Sequence, residues 1–207
     1  MPFIKIEKLN SGTIGFWKID ENDDFNYANS ILEFYHPNCL NYKNTHRKKQ
    51  ILATRLLADK MCPNTAIYQN SFGKPYFKIK NKYLSVSNDK NIIVLYLSNQ
   101  PCGIDIQSSN NKILSISHKF HNKNDFANKS NEEELIHLWC AKEAIYKIYG
   151  KPEILFKEHI TIFKEKVDNR TYGTCSHPNF SFNCRINNLK FENYYLVYTS
   201  DFENSIV

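Results

Sequence analysis

Glu132 to Tyr149 is the segment that most restricts the fold. Leu135, Leu138, Trp139, Ile145, Ile148 and Tyr149 recur at helical spacing, and Gly150 with Pro152 stops the run. Ser130 and Glu133 are spaced as a capping box at its start. A helix of this length must bury its apolar stripe against another layer. A second helix is predicted over His46 to Met61, where Ile51, Leu52, Arg55, Leu56 and Asp59 follow helical spacing and Pro63 ends the segment.

The remaining signals are mostly strand signals. Residues 1–30 are weakly patterned and read as short strands and loops. Tyr83 to Ser87 and Ile92 to Leu97 are β-rich runs separated by Asn88-Asp89-Lys90-Asn91, a hairpin pattern. After Pro101, Cys102 to Gln107 is predicted as the next antiparallel strand. Residues 108–131 are polar, with Phe120 and Phe126 as apolar anchors. Residues 153–207 read as β-rich, with Tyr194 to Tyr198 a closing strand. Strands mixed with two principal helices predict an α+β fold.

Composition narrows the function classes. The sequence has 27 Lys and Arg against 21 Asp and Glu, a net charge of +6. That excess suits an anionic ligand or partner, or simple solubility. The basic residues form no long run, Arg47-Lys48-Lys49 being the densest cluster, so no nucleic-acid partner is expected. No stretch is apolar enough to span a membrane, and Met1 to Asn10 lacks the apolar core of an export signal. Cys39, Cys62, Cys102, Cys140, Cys175 and Cys184 form no C-x-x-C pair. They are expected to be reduced and mostly buried, in a cytoplasmic protein. His36, His118, His121, His137, His159 and His177 follow no pattern that pairs them with a nucleophile.

Two segments carry chemistry. On a strand, Asp105 and Gln107 share a face while Ile104 and Ile106 turn inward, and Gly103 allows close approach. On a helix, Trp139, Glu143 and Lys147 share a face. One carboxylate from a strand and one from a helix suit a hard cation that takes its other oxygens from phosphate and water. The same residues also suit a polar strand face and an ordinary Glu143–Lys147 surface pair. Residue chemistry alone reaches a possible phosphate-and-magnesium site.

Gly103-Ile104-Asp105-Ile106, followed by Trp139-x-x-Lys142-Glu143-Ala144-x-x-Lys147-x-x-Gly150, resembles the two signature motifs of the 4′-phosphopantetheinyl transferase superfamily. Their order and spacing resemble the single-chain, surfactin-synthetase-activating type. Phe72-Gly73-Lys74-Pro75 is similar to the family's Gly-Lys-Pro segment, Leu84 to Ser87 to the strand before the first motif, and His118-Lys119-Phe120 to the basic stretch between motifs. The resemblance covers roughly residues 46–150.

It implies two similar α+β halves in pseudo-twofold arrangement, 1–101 and 102–207, with coenzyme A between them. The second half would carry the metal-binding and catalytic motifs. The implied activity is transfer of the phosphopantetheine arm of coenzyme A to a serine of an apo acyl or peptidyl carrier protein. Asp105 and Glu143, with Gln107, would bind Mg²⁺, or Mn²⁺ in its place. Glu143, Lys147 and Asp105 would be catalytic, Lys147 lying beside the pyrophosphate or pairing with Glu143. Lys74, Ser87, Asn88, Arg55 and Arg47 would bind coenzyme A. A monomer is expected.

Two positions depart from the family pattern. Gln107 replaces an acidic residue, which removes one negative charge, and Asn88 replaces a histidine. These departures leave open a degenerate homologue that binds coenzyme A or a carrier without transfer. A third reading is an unrelated basic module for RNA.

Overall fold

A computed structural model describes residues 3–20, 44–166 and 168–205. Two sheets dominate it. The first contains β1 (Phe3–Leu9), β2 (Gly12–Lys18), β5 (Tyr83–Asp89) and β6 (Ile92–Ser98), in the order β1-β2-β6-β5, all antiparallel. The second contains β7 (Ile104–Ser108), β8 (Ile160–Lys164), β9 (Thr171–His177), β10 (Phe180–Phe191) and β11 (Tyr194–Ser205), in the order β7-β11-β10-β9-β8. A small hairpin, β3 (Ile67–Gln69) with β4 (Pro75–Phe77), frames the Gly73 turn. The α+β reading is met.

Helix α1 (Thr45–Met61) starts at Asn44, whose side chain accepts from the Arg47 N–H. It packs Leu52, Ala53 and Leu57 on Trp17, Leu84, Ile93 and Leu95 of the first sheet. Short α2 (Lys112–Ile116) leads to the long helix α3 (Glu132–Tyr149). Leu135, Leu138, Ile145 and Ile148 of α3 pack on Ile160, Ile162 and Val197, with Phe120 in the same core and Phe126 beside it. The brief helix α4 (Phe156–His159) precedes β8.

β6 is buried along its whole length. Alternation explains this. Ile93, Leu95 and Leu97 face the α1 side, while Ile92, Val94 and Tyr96 pack on Ile104, Ile106, Leu196 and Phe191 of the second sheet. A third core therefore glues sheet to sheet, and the side chains beside that seam are held rigidly.

Several local expectations change. The hairpin turn is tighter than predicted: β5 continues through Asn88 and Asp89, and Lys90 takes the left-handed turn at φ 49°. β7 is not the next strand of the first sheet but the edge of the second, paired with β11. The crossover at residues 99–103 carries it there. Asn131, not Ser130, caps α3 by accepting from the Glu134 N–H, and Ser130 donates to Asn128 instead. Gly150 ends α3 at φ 70°, as its position predicts. Cys102, Cys140, Cys175 and Cys184 are buried and free, Cys62 is free and partly buried, and Cys39 and His36 lie outside the described residues. No helix among the described residues is long and apolar enough to cross a membrane.

Candidate active site

The site forms where β5, the edge of one sheet, faces β7, the edge of the other. No backbone ladder joins these edges. Side chains do it instead. Ser85 Oγ accepts from the Ile104 N–H (3.1 Å), Ser87 Oγ from the Ile106 N–H (3.4 Å), and Asp89 Oδ2 from the Ser108 N–H (2.6 Å). Period-2 geometry puts Ser85, Ser87 and Asp89 on one face of β5, while Leu84 and Val86 face α1.

Asp105 lies at the centre, 2% exposed. Its Oδ1 accepts from Ser87 Oγ (2.6 Å) and Lys147 Nζ (2.7 Å), and its Oδ2 from Gln107 Nε2 (3.2 Å). A buried carboxylate needs such donors to stay charged. Lys147 also donates to Ser87 Oγ and the Ile104 carbonyl, each at 2.9 Å, so all three ammonium protons are engaged. Lys147 thus forms its ion pair with Asp105 on the neighbouring strand, not with Glu143 on its own helix.

Glu143 sits one turn before Lys147 and is half-buried. Burial, then repulsion from Asp105, pushes its carboxyl up to about 7, against an opposing pull from Lys147. Cys140 is buried beside Asp105, and its thiol is pushed well up, by burial first. Among the described residues no three His, Cys, Asp or Glu side chains converge as a metal cluster. The predicted acidic ligands are Asp105 and Glu143, and Gln107 turns its amide nitrogen, not its oxygen, toward Asp105.

Gly103 makes this proximity possible. A Cβ there would overlap the Ala144 carbonyl of α3, so only glycine lets β7 and the helix approach this closely. The Gly103 N–H donates to Thr199 Oγ1 (2.8 Å), which pins the start of β7 to β11.

Two clefts open along β5, one of them also lined by Lys147. One, of about 310 Å³, runs between Phe72, Lys74, Ser85 and Val86 on one side and Tyr146, Lys147 and Gly150 on the other. The second, of about 170 Å³, gathers Arg47, Thr54, Arg55, Val86 and Asn88. Gly73, Pro75 and Val86 belong to both, so the clefts adjoin. A larger cleft of about 640 Å³ near His137, Glu192 and Tyr195 pairs one lysine with two glutamates and is a poor match for an anion.

The expected coenzyme A residues are thus partly brought together. Arg47, Arg55 and Asn88 converge, with Arg55 Nη1 donating to the Ile67 carbonyl (2.8 Å). Lys74 lines the adjoining cleft, where its ammonium donates to the Ile148 carbonyl at the end of α3. Burial lowers its pKa, with Cys102 opposing. Ser87 lines neither cleft and is turned into the seam.

Lys142, within the second motif, is a residue whose role sequence reasoning did not find. It is fully buried and pairs with Asp125 Oδ2 at 2.8 Å. It also donates to the carbonyls of Phe120 (2.8 Å), Phe156 (3.0 Å) and Ile160 (2.8 Å). Lys142 ties the loops around residues 120–125 and 156–160 to the helix that carries Glu143. The signal was a lysine on the apolar side of a predicted helix, where only a buried partner makes it tolerable.

The family model described as the 4′-phosphopantetheinyl transferase superfamily matches residues 101–198. A curated relative, 4′-phosphopantetheinyl transferase gsp of Aneurinibacillus migulanus, is 28% identical over 94 residues. The match covers 42% of this chain and 39% of the relative, so it spans about two-fifths of that protein's length. Asp105, Glu143 and Lys147 all fall inside residues 101–198, the segment that is similar to this superfamily.

Proposed function

We propose that this chain transfers the 4′-phosphopantetheine group of coenzyme A to a serine of an apo acyl or peptidyl carrier protein. The observation that carries the reading is the meeting of Asp105, Glu143 and Lys147, of which Lys147 lines one of two adjoining clefts that hold Lys74, Arg47 and Arg55. In this reading the two sheets with their helices are the two pseudo-twofold halves, 1–101 and 102–207, and coenzyme A lies across the clefts between them.

The serine oxygen forms a bond to the β-phosphorus, the bond from that phosphorus to the bridging oxygen breaks, and adenosine 3′,5′-bisphosphate leaves. Such a reaction chiefly needs positioning and charge neutralisation. Lys74, Arg47 and Arg55 supply cations for the phosphates, and Asn88 supplies an uncharged hydrogen bond. Glu143, with its carboxyl near 7, is suited to take the serine proton at neutral pH.

Asp105 and Glu143 fit a divalent cation: they are two carboxylates close enough to repel, with one ammonium acting on both and solvent as the remaining ligand source. They would hold Mg²⁺, or Mn²⁺, with Gln107 completing the set after its amide turns. Bound there, the ion would neutralise the pyrophosphate. The positive net charge suits docking of an acidic carrier.

The test is to incubate the purified protein with apo carrier, coenzyme A and Mg²⁺ and weigh the carrier intact. A gain of one phosphopantetheine group that is absent with Glu143→Ala is the expected result. Retained coenzyme A binding with no gain on several unrelated carriers would replace the reading with that of a homologue that binds without transfer, as the loss of charge at Gln107 suggests.

A further inference from the structure

We propose that Ser87 is a positioning residue: its hydroxyl sets Asp105 and Lys147 before substrate arrives, rather than binding a phosphate of coenzyme A. This rests on the transfer reading above.

The inference follows from hydrogen-bond capacity. A serine hydroxyl has one proton to give and two lone pairs. Ser87 gives its proton to Asp105 Oδ1 at 2.6 Å. Its lone pairs accept from Lys147 Nζ at 2.9 Å and the Ile106 N–H at 3.4 Å. Nothing is left for a phosphate oxygen. The residue is 6% exposed and lines neither cleft, although its neighbours Val86 and Asn88 each line at least one.

The hydroxyl also joins three separate elements. Ser87 comes from β5, Asp105 from β7 and Lys147 from α3. Ser85 and Asp89 make the same kind of bond to β7, but only Ser87 also reaches the carboxylate and the ammonium. A short bond from a hydroxyl to a carboxylate is charge-assisted and directional. With Gln107 on Oδ2, it fixes the carboxylate rotation, and with the Ile104 carbonyl it fixes the ammonium. Such fixed charges act at the transition state without reorganising.

Ser87→Ala leaves Asp105 one donor short and frees one ammonium proton of Lys147. The expected outcome on an apo carrier is a kcat lowered about tenfold or more, less than the roughly 100- to 1,000-fold cost of a donor that meets the reacting atoms directly, with the KM for coenzyme A within about twofold. Ser87→Thr keeps the hydroxyl and should restore most of the kcat. Ser87→Cys, near in size but a weak donor, should give a low kcat at normal KM, and it serves if the alanine variant does not fold. A raised KM for coenzyme A with kcat unchanged would overturn the proposal and make Ser87 a phosphate ligand. If the wild-type protein transfers nothing, the transfer reading fails by itself. A double-mutant cycle in urea between Ser87 and Asp105→Asn then decides, using Ser87→Ala or Ser87→Cys, whichever folds. The unfolding constants of the single variants should multiply to a value that misses the double variant by about fivefold. Simple multiplication would sink the idea.

Discussion

Lys147 lies one helical turn beyond Glu143, yet its ammonium rests 2.7 Å from Oδ1 of Asp105, on a strand of the second sheet. An exposed Glu–Lys pair on a helix contributes a few tenths of a kcal/mol, whereas Asp105 is 3% exposed at its side chain and depends on its donors. Lys147→Met should therefore destabilise the fold by about 2–3 kcal/mol, toward the lower end for a broken buried pair because Lys147 is 24% exposed. Urea unfolding measures this. A cost under about 0.5 kcal/mol would mean the pair behaves as a surface bridge.

Glu143 makes stability depend on pH. Its folded-state value of about 7 lies above the ordinary 4.5, so the native state holds this proton more tightly than the unfolded chain. The associated stability is fully present below about 4.5 and is lost as pH rises through about 7. Glu143→Gln removes the dependence. In metal-free buffer the variant should gain on the wild type between pH 5 and pH 8, by up to about 3 kcal/mol at 1.36 kcal/mol per unit. Parallel curves for the two proteins would contradict the assignment.

Gly103→Ala tests the closeness of β7 to α3. The added methyl would meet the Ala144 carbonyl, which is main chain and cannot rotate aside. A loss of about 2–4 kcal/mol is expected, in the range of severe overpacking, together with loss of any activity that needs Asp105 and Glu143 in register. Thermal unfolding and the carrier assay read the two effects separately.

Gln107→Glu should strengthen metal binding. The glutamine spends its amide nitrogen on Asp105 Oδ2, while a glutamate cannot donate and adds a negative charge beside two others. Mn²⁺ affinity, followed by electron paramagnetic resonance, should rise about tenfold, since ligand charge tunes affinity for hard cations. Equal affinity would show that position 107 does not face the ion.

Lys142→Met should cost about 3–5 kcal/mol, because it strands the Asp125 carboxylate, which is 0% exposed, without its cation. Adding Asp125→Leu should recover part of that loss in urea unfolding. The three carbonyls that Lys142 serves keep the recovery incomplete. Full additivity of the two changes would contradict the pairing.

What was legible in the sequence was mostly local. Both long helices declared themselves by apolar spacing and stop residues, and the β5–β6 hairpin by its turn formers. The placement of β7 was not legible, because its partner β11 lies some ninety residues on and no local pattern selects it over the nearer β6. Asn131 and Ser130 are both able to cap, and adjacent candidates differ only in the backbone geometry reached. At the site, the motif residues Asp105, Glu143 and Lys147 meet, and Arg47, Arg55 and Asn88 share a cleft. The resemblance assigned Ser87 to coenzyme A, and no sequence pattern shows that its hydroxyl also meets Asp105 and Lys147. The alternation Ser85, Ser87, Asp89 was the clue: three short oxygen-bearing side chains on one face of an edge strand suit an unpaired strand edge.

That seam carries a consequence for how the molecule comes apart and how it changes. Main-chain ladders are indifferent to side-chain identity, so ordinary mutation rarely unzips a sheet. The contact between β5 and β7 is written in three side chains, and substitutions there can unfasten it while both sheets keep every internal bond. Drift at Ser85, Ser87 or Asp89 would loosen this one edge, and with it change the width of the clefts, while the core between β6 and the second sheet still holds the sheets together.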